Sequence, residues 1–141
     1  MKAARKTEKA IKNTIHGAFE AYKNRDEEAF RRLIAPDPDV VMYGTGMDEK
    51  RVGWNQIRAQ LRRDWSQSDS AELHLDSLSV SASGTGACAA GDGSIKITVD
   101  GQQRSMPIRF TASLENRSNH WVFVQMHFST PAMLQNGGQS F

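Results

Sequence analysis

Three groups of side chains in this sequence have the types that chemistry needs. His127 sits inside "WVFVQMHFST", a run near the end of the chain that is otherwise mostly apolar. An imidazole suits proton transfer near neutrality, because its ordinary pKa of about 6.5 keeps both forms available. The same ring could instead make a structural hydrogen bond across strands or across a subunit interface. Asp48 and Glu49 close the segment "MYGTGMDE". Two carboxyls in a glycine-flanked loop could serve as a general base or a rim contact, and a solvated turn is the plainer reading. Arg109 lies in "MPIRFTASL", a strand-like alternation. A guanidinium on a strand can fork onto a carboxylate or another anion. Its plainer role is an ion pair with Glu72, Asp76 or Glu115.

Other chemistries find no support. His16, His74, His120 and His127 lack metal-ligand spacing, and no cysteine or paired carboxylate joins them, so no metal site is expected. The segments "SGTG" and "GDG" read as turns or a bulge, not as a phosphate loop, and no organic cofactor is expected. The single cysteine, Cys88, excludes an intrachain disulfide, and its small neighbours suggest a buried, inert thiol. Arg51, Arg58, Arg62 and Arg63 cluster without interleaved aromatics, so a solvated helix face is expected rather than a nucleic-acid platform. Tyr43, Trp54, Trp65, Phe19 and Tyr22 read as core, or as the walls of a small-molecule pocket.

The elements that must position these groups are legible from periodicity. Ile11, Ile15, Phe19 and Tyr22 form one stripe on a helix over roughly residues 4 to 23. Asp26 is a plausible N-cap for a second helix, which carries Ala29, Phe30, Leu33 and Ile34 and stops at Pro36 and Pro38. "DVVMYGTG" and "KRVGW" read as short strands. A third helix follows, with Trp54, Ile57, Leu61 and Trp65 on its inner face. From Ala71 onward the period drops to two. "AELHLDSLSVSA", "ACAAGDGSIKITV", "QRSMPIRFTASLE" and "HWVFVQMHFST" read as four strands, joined at "SGTG", Asp100-Gly101 and "NRSN". A bulge or bend is expected at Gly91-Asp92-Gly93. Helices grouped against one antiparallel sheet give an α+β fold.

Alternation sorts the last two strands into faces. Met106, Ile108, Phe110, Ala112 and Leu114 oppose Arg109, Thr111 and Ser113. Val122, Val124, Met126 and Phe128 oppose Trp121, Phe123, Gln125, His127 and Ser129. Two arrangements remain open. In one the apolar faces turn inward and the mixed faces outward, where a second subunit would cover Trp121 and Phe123. In the other the mixed faces line a polar pocket, and His127, Arg109 and Gln125 meet a ligand.

The chain has 141 residues, one domain's worth, with 38% hydrophobic residues, 24% charged residues and a formal net charge of +2. That small charge argues against a dedicated nucleic-acid binder. The basic N-terminus lacks the apolar run of a secretory signal, and no stretch could span a membrane, so a cytoplasmic location is expected.

The order of elements, "GTGMDEKRVGW", "VDGQQ" and the closing "HWVFVQMHFSTPA" together resemble the nuclear transport factor 2-like superfamily, and within it the SnoaL-like group. The closing pattern also resembles the end of the association domain of calcium/calmodulin-dependent protein kinase II. The resemblance covers about residues 8 to 132 of a single domain, 1–141, leaving 133–141 as an expected flexible tail. It implies a cone-shaped barrel in which N-terminal helices pack on a strongly curved, mainly antiparallel sheet, a cystatin-like α+β roll. It further implies a pocket at the wide end and a homodimer through the sheet face. The function so implied is the binding of a small organic molecule, with cofactor-independent acid-base chemistry of the isomerase, cyclase or dehydratase type. For such chemistry the residues themselves, rather than the resemblance, offer His127 or the Asp48 and Glu49 loop for proton transfer, with Tyr43, Trp54, Trp65, Arg109 and Gln125 as ligand contacts. The alternative is a non-catalytic association module of the same fold.

Overall fold

The stripe Ile11, Ile15, Ala18, Phe19 and Tyr22 becomes the buried face of α1 (Arg5–Lys23) in the computed structural model, which describes residues 2–141. Asp26 caps α2 (Glu27–Arg32) as its side chain accepts from the Ala29 N–H at 3.0 Å. The chain then forms β1 (Val41–Tyr43), β2 (Lys50–Val52) and α3 (Gly53–Ser66). Four longer strands complete it: β3 (Ser70–Ser83), β4 (Gly86–Val99), β5 (Gln102–Arg117) and β6 (His120–Ser129).

All six strands join one sheet in the order β2-β1-β6-β5-β4-β3, antiparallel except for the parallel pair β1·β6. The sheet curls without closing, since β2 and β3 remain its edges. Two-residue turns set the long hairpins. Asp100 and Gly101 both take positive φ, as do Ser118 and Asn119, which matches the twist of the flanking strands.

The expected bulge lies on the other strand of its pair. The β3·β4 register shifts between Leu75 and Ser77, so Asp76 is the extra residue, opposite the Gly91-Asp92-Gly93 segment. The glycines accommodate that bulge: a Cβ on Gly93 would collide with the His74 carbonyl oxygen. The bulge resets the alternation, so Leu73 and Leu75 before it, and Leu78 and Val80 after it, all pack on the core.

A second bulge corrects the faces of β6. Its register against β5 shifts between Ser113 and Leu114, which leaves Val124 unpaired. Strict alternation therefore fails at Val124. Phe123 pairs with Leu114 and is 0% exposed, and Trp121 is buried as well. Neither belongs with the exposed Gln125 and His127. Phe123 is held from behind: its N–H donates to Leu33 O at 2.8 Å, and its carbonyl accepts from the Ala35 N–H at 2.9 Å. Those bonds anchor the exit of α2 to β6.

The core lies between α1 and the inner sheet face, where Phe19, Phe110 and Phe128 stack at centroid distances of 5.1–6.2 Å. Cys88 is exposed on the outer face, contrary to the buried thiol expected from its small neighbours. Its cross-strand partners are Ser81 and Ser113, and it lines an open depression on that face. No helix among the described residues is long and apolar enough to cross a membrane.

Candidate functional site

The space between α1 and the curled sheet is not filled to its end. A cavity of about 320 Å³ remains. Its walls are apolar: Phe19 and Ala18 from α1, Phe30 from α2, and Leu73, Ile95, Ile97, Met106, Ile108, Met126 and Phe128 from the sheet. One end is polar and is built by Tyr22, Gln60, Asp64 and Glu49. That combination of apolar wall and few convergent polar groups is the usual form of a small-molecule site.

The polar end is a connected network. Gln60 and Asp64 are one turn apart on α3, so both project from the face that carries Ile57 and Leu61. Asp64 accepts from both sides: Tyr22 O–H donates to Oδ2 at 2.9 Å, and Gln60 Nε2 donates to Oδ1 at 2.6 Å. The Gln60 amide is itself buried and also donates to Glu49 Oε1 at 3.1 Å. Its orientation is fixed by Arg51, whose Nε donates to Gln60 Oε1 at 3.0 Å. Arg63 grips Asp48 with both terminal nitrogens, at 2.7 and 3.2 Å, and also reaches Glu49 Oε1 at 3.0 Å. No buried side-chain nitrogen or oxygen among the described residues lacks a partner.

Burial sets the ionisation of this end. Desolvation pushes the Asp64 carboxyl above the ordinary aspartate value, and the hydrogen bonds from Gln60 and Tyr22 oppose that rise. Desolvation and then the Asp64 charge push the Tyr22 phenol far above its usual range, so it stays a donor. Asp48 is held below the usual carboxylate range by its bonds to Arg63.

The loop between β1 and β2 forms the lip. Glu49 folds back so that its carboxylate accepts from the Gly46 N–H at 2.8 Å. A Cβ on Gly44 would meet that carboxylate, so a side chain there would displace Glu49 from this position.

The residues singled out from the sequence are divided by the sheet. Glu49 lines the cavity. Asp48 stands outside it, engaged with Arg63. Tyr43, Gln125, His127 and Arg109 are all on the outer face, with Tyr43 paired to His127 in register and their rings 5.3 Å apart. Tyr43, Gln125 and His127 line a broader, more open depression there, with Ser79, Ser81, Cys88, Thr111 and Ser113. Arg109 sits one row further along, opposite Ser129 and Asp92. The two indoles are only half-buried at the edges of the α3 face. Trp65 Nε1 donates to Tyr22 O at 3.0 Å and supports the cavity from behind, while Trp54 lies beneath the Arg31 guanidinium. Among the described residues no three His, Cys, Asp or Glu side chains gather as a metal site.

Gln60 and Asp64 had a signal in the sequence that the strand histidine overshadowed. They follow Ile57 by three and seven residues, so two polar groups interrupt a helical apolar face. Tyr22 and Phe19 line the cavity, as the pocket-wall reading of these aromatics allowed, but nothing in the sequence pointed to the bond from Tyr22 to Asp64.

A model of the SnoaL-like domain matches residues 11–133, and the chain belongs to that family. No curated protein matches it. Among solved structures it is similar to a nuclear transport factor 2-like superfamily protein from Salmonella enterica, at 19% identity and a TM-score of 0.84, covering 97% of this chain and 99% of that one. It is similar to a candidate dehydratase of the same family from Streptomyces avermitilis, at 15% identity and a TM-score of 0.78, covering 86% and 94%. A candidate calcium/calmodulin-dependent protein kinase II association domain from Xanthomonas campestris gives 19% identity and a TM-score of 0.75, covering 88% and 87%. At such identities these likenesses establish the fold.

Proposed function

We propose that this SnoaL-like chain binds a small, mainly apolar organic molecule in the cavity and moves a proton on it, with Asp64 as the acid-base group. The observation that carries the reading is an apolar cavity of about 320 Å³ ending in a desolvated, hydrogen-bonded carboxyl. A carboxyl raised towards neutrality exchanges a proton more readily near physiological pH than an ordinary aspartate does. Tyr22 keeps its proton and hydrogen-bonds Asp64, Gln60 orients it, and Glu49 forms the rim. A dehydration, the reaction named for one structural neighbour, needs such a proton-transferring group and so is in keeping with this chemistry.

The test is a fragment titration of the labelled protein by NMR. Neutral aromatic fragments are expected to shift the amides of Asp64, Ile95 and Met106. Ile95→Trp, which places an indole in the cavity, is expected to abolish those shifts. The reading fails if no fragment perturbs these residues, or if the shifts survive in Ile95→Trp.

A specific observation favours a homodimer through the outer sheet face as well. Ser79, Ser81, Ala90, Thr111 and Ser113 are small and uncharged, and Tyr43 and His127 stand beside them. Small side chains let a second sheet approach to about 10 Å, with Lys50 the charged residue at the border of this depression. Sedimentation equilibrium tests this: the wild type is expected to be a dimer and Thr111→Arg a monomer. A wild-type monomer at micromolar concentration removes the proposal.

A further inference from the structure

The charge balance of the cavity defines the class of ligand, granted that the cavity is the binding site as proposed above. No Lys, Arg or His among the described residues lines it. Three guanidiniums near its polar end are engaged elsewhere, Arg25 among them with the Trp65 and Ser68 carbonyls. Arg63 is bound to Asp48 and Glu49, and Arg51 is bound to Gln60 Oε1 and to the Asp48 and Lys50 carbonyls. Glu49 therefore has a cationic partner, whereas Asp64 has only the two neutral donors Tyr22 and Gln60. A carboxylate has about four acceptor positions. Asp64 uses two of them, and it borders the cavity.

We propose that the cavity selects a hydrophobic organic cation, a compact apolar body carrying one protonated amine, with the ammonium on Asp64 and the body against Leu73, Ile95, Met106 and Phe128. An ammonium would give Asp64 the charged partner it lacks, in surroundings where a buried charge is costly unless paired. Phe19, Phe30 and Tyr22 also border the cavity, and an aromatic ring attracts a cation placed over its face. A carboxylate or phosphate ligand would enter beside Asp64 and Glu49, where no cationic side chain lines the wall to receive it. The volume is at the small end of the range for such sites, which is about 300–1,000 Å³, so a single ring with a short chain fits.

Three probes of one shape test this on the full chain: 3-phenylpropylamine, 3-phenylpropanol and 3-phenylpropionate, titrated by NMR near neutral pH into wild type and Asp64→Asn. The amine is expected to bind at least about ten-fold tighter than the alcohol, about 1.4 kcal/mol, with the carboxylate weakest. In Asp64→Asn the amine should fall to the level of the alcohol. In the wild type, amine affinity should also decline with falling pH as Asp64 takes up its proton, while alcohol affinity stays constant. That second measurement decides the matter if the variant fails to fold. If none of the three binds, both the cavity reading and this proposal are overturned. If all three bind alike, if the carboxylate binds best, or if the amine preference survives in Asp64→Asn, the cavity remains a binding site and the charge selection is refuted.

Discussion

Tyr22→Phe removes one oxygen from the polar end of the cavity and leaves the ring in place. The Tyr22 side chain is 8% exposed, and its ring centroid lies 6.2 Å from that of Trp65, so phenylalanine keeps that packing and opens no void. What is lost is the bond from the phenol to Asp64 Oδ2 at 2.9 Å. A hydrogen bond to a charged group contributes about 1.5–3 kcal/mol and one to a neutral group about 0.5–1.5 kcal/mol. Water entering from the cavity replaces part of it, which places the expected loss at about 1–2 kcal/mol while Asp64 is ionised. Once Asp64 is protonated, the loss should shrink by about 1 kcal/mol, the difference between the two kinds of bond.

The pH dependence follows from the direction of the Asp64 shift. Burial raises this carboxyl above its unfolded value, so between the two values the folded chain holds a proton that the unfolded chain has released. The Asp64 contribution to stability therefore declines as pH rises through that interval and levels off above it. Without the phenol the carboxyl rises further, and the interval widens upward. Urea unfolding of both proteins from about pH 4.5 to about pH 8 measures this directly. The gap between wild type and Tyr22→Phe should widen with pH and reach its plateau above the Asp64 titration. A gap that is the same at every pH, or no gap, would refute the claim that Tyr22 bonds the ionised carboxylate.

Two further substitutions test the fold that builds the site. Phe123→Ala empties a fully buried position at the second bulge and should cost about 3–5 kcal/mol in chemical unfolding. A cost under about 1 kcal/mol would mean the side chain faces outward, as strict alternation had it. Gly93→Ala drives a methyl group into the His74 carbonyl at the Asp76 bulge. A loss of at least about 2 kcal/mol is expected, and a neutral result would place the bulge elsewhere.

The sequence by itself determined the class of fold. The i, i+4, i+8 stripe of α1, the Asp26 cap and the Asp100-Gly101 turn each have a local cause, so helices, hairpins and their order could be read residue by residue. The grouping of residues onto shared faces held wherever alternation was unbroken, and the tertiary structure decided which face turns inward. Met106, Ile108, Phe110, Ala112 and Leu114 do turn inward, and Arg109, Gln125 and His127 do turn outward. Alternation failed at Asp76 and Val124, because a bulge is fixed by what the neighbouring strand presents and not by the bulged residue itself. The cavity was beyond reach for a related reason. Tyr22 lies 42 residues before Asp64 and Glu49 lies in a separate loop, and only the packing of α1, α3 and the β1–β2 loop on the curled sheet brings them to one point. A histidine in a strand is conspicuous in a sequence. A carboxyl whose chemistry comes from desolvation is not, because desolvation is a property of the assembled fold.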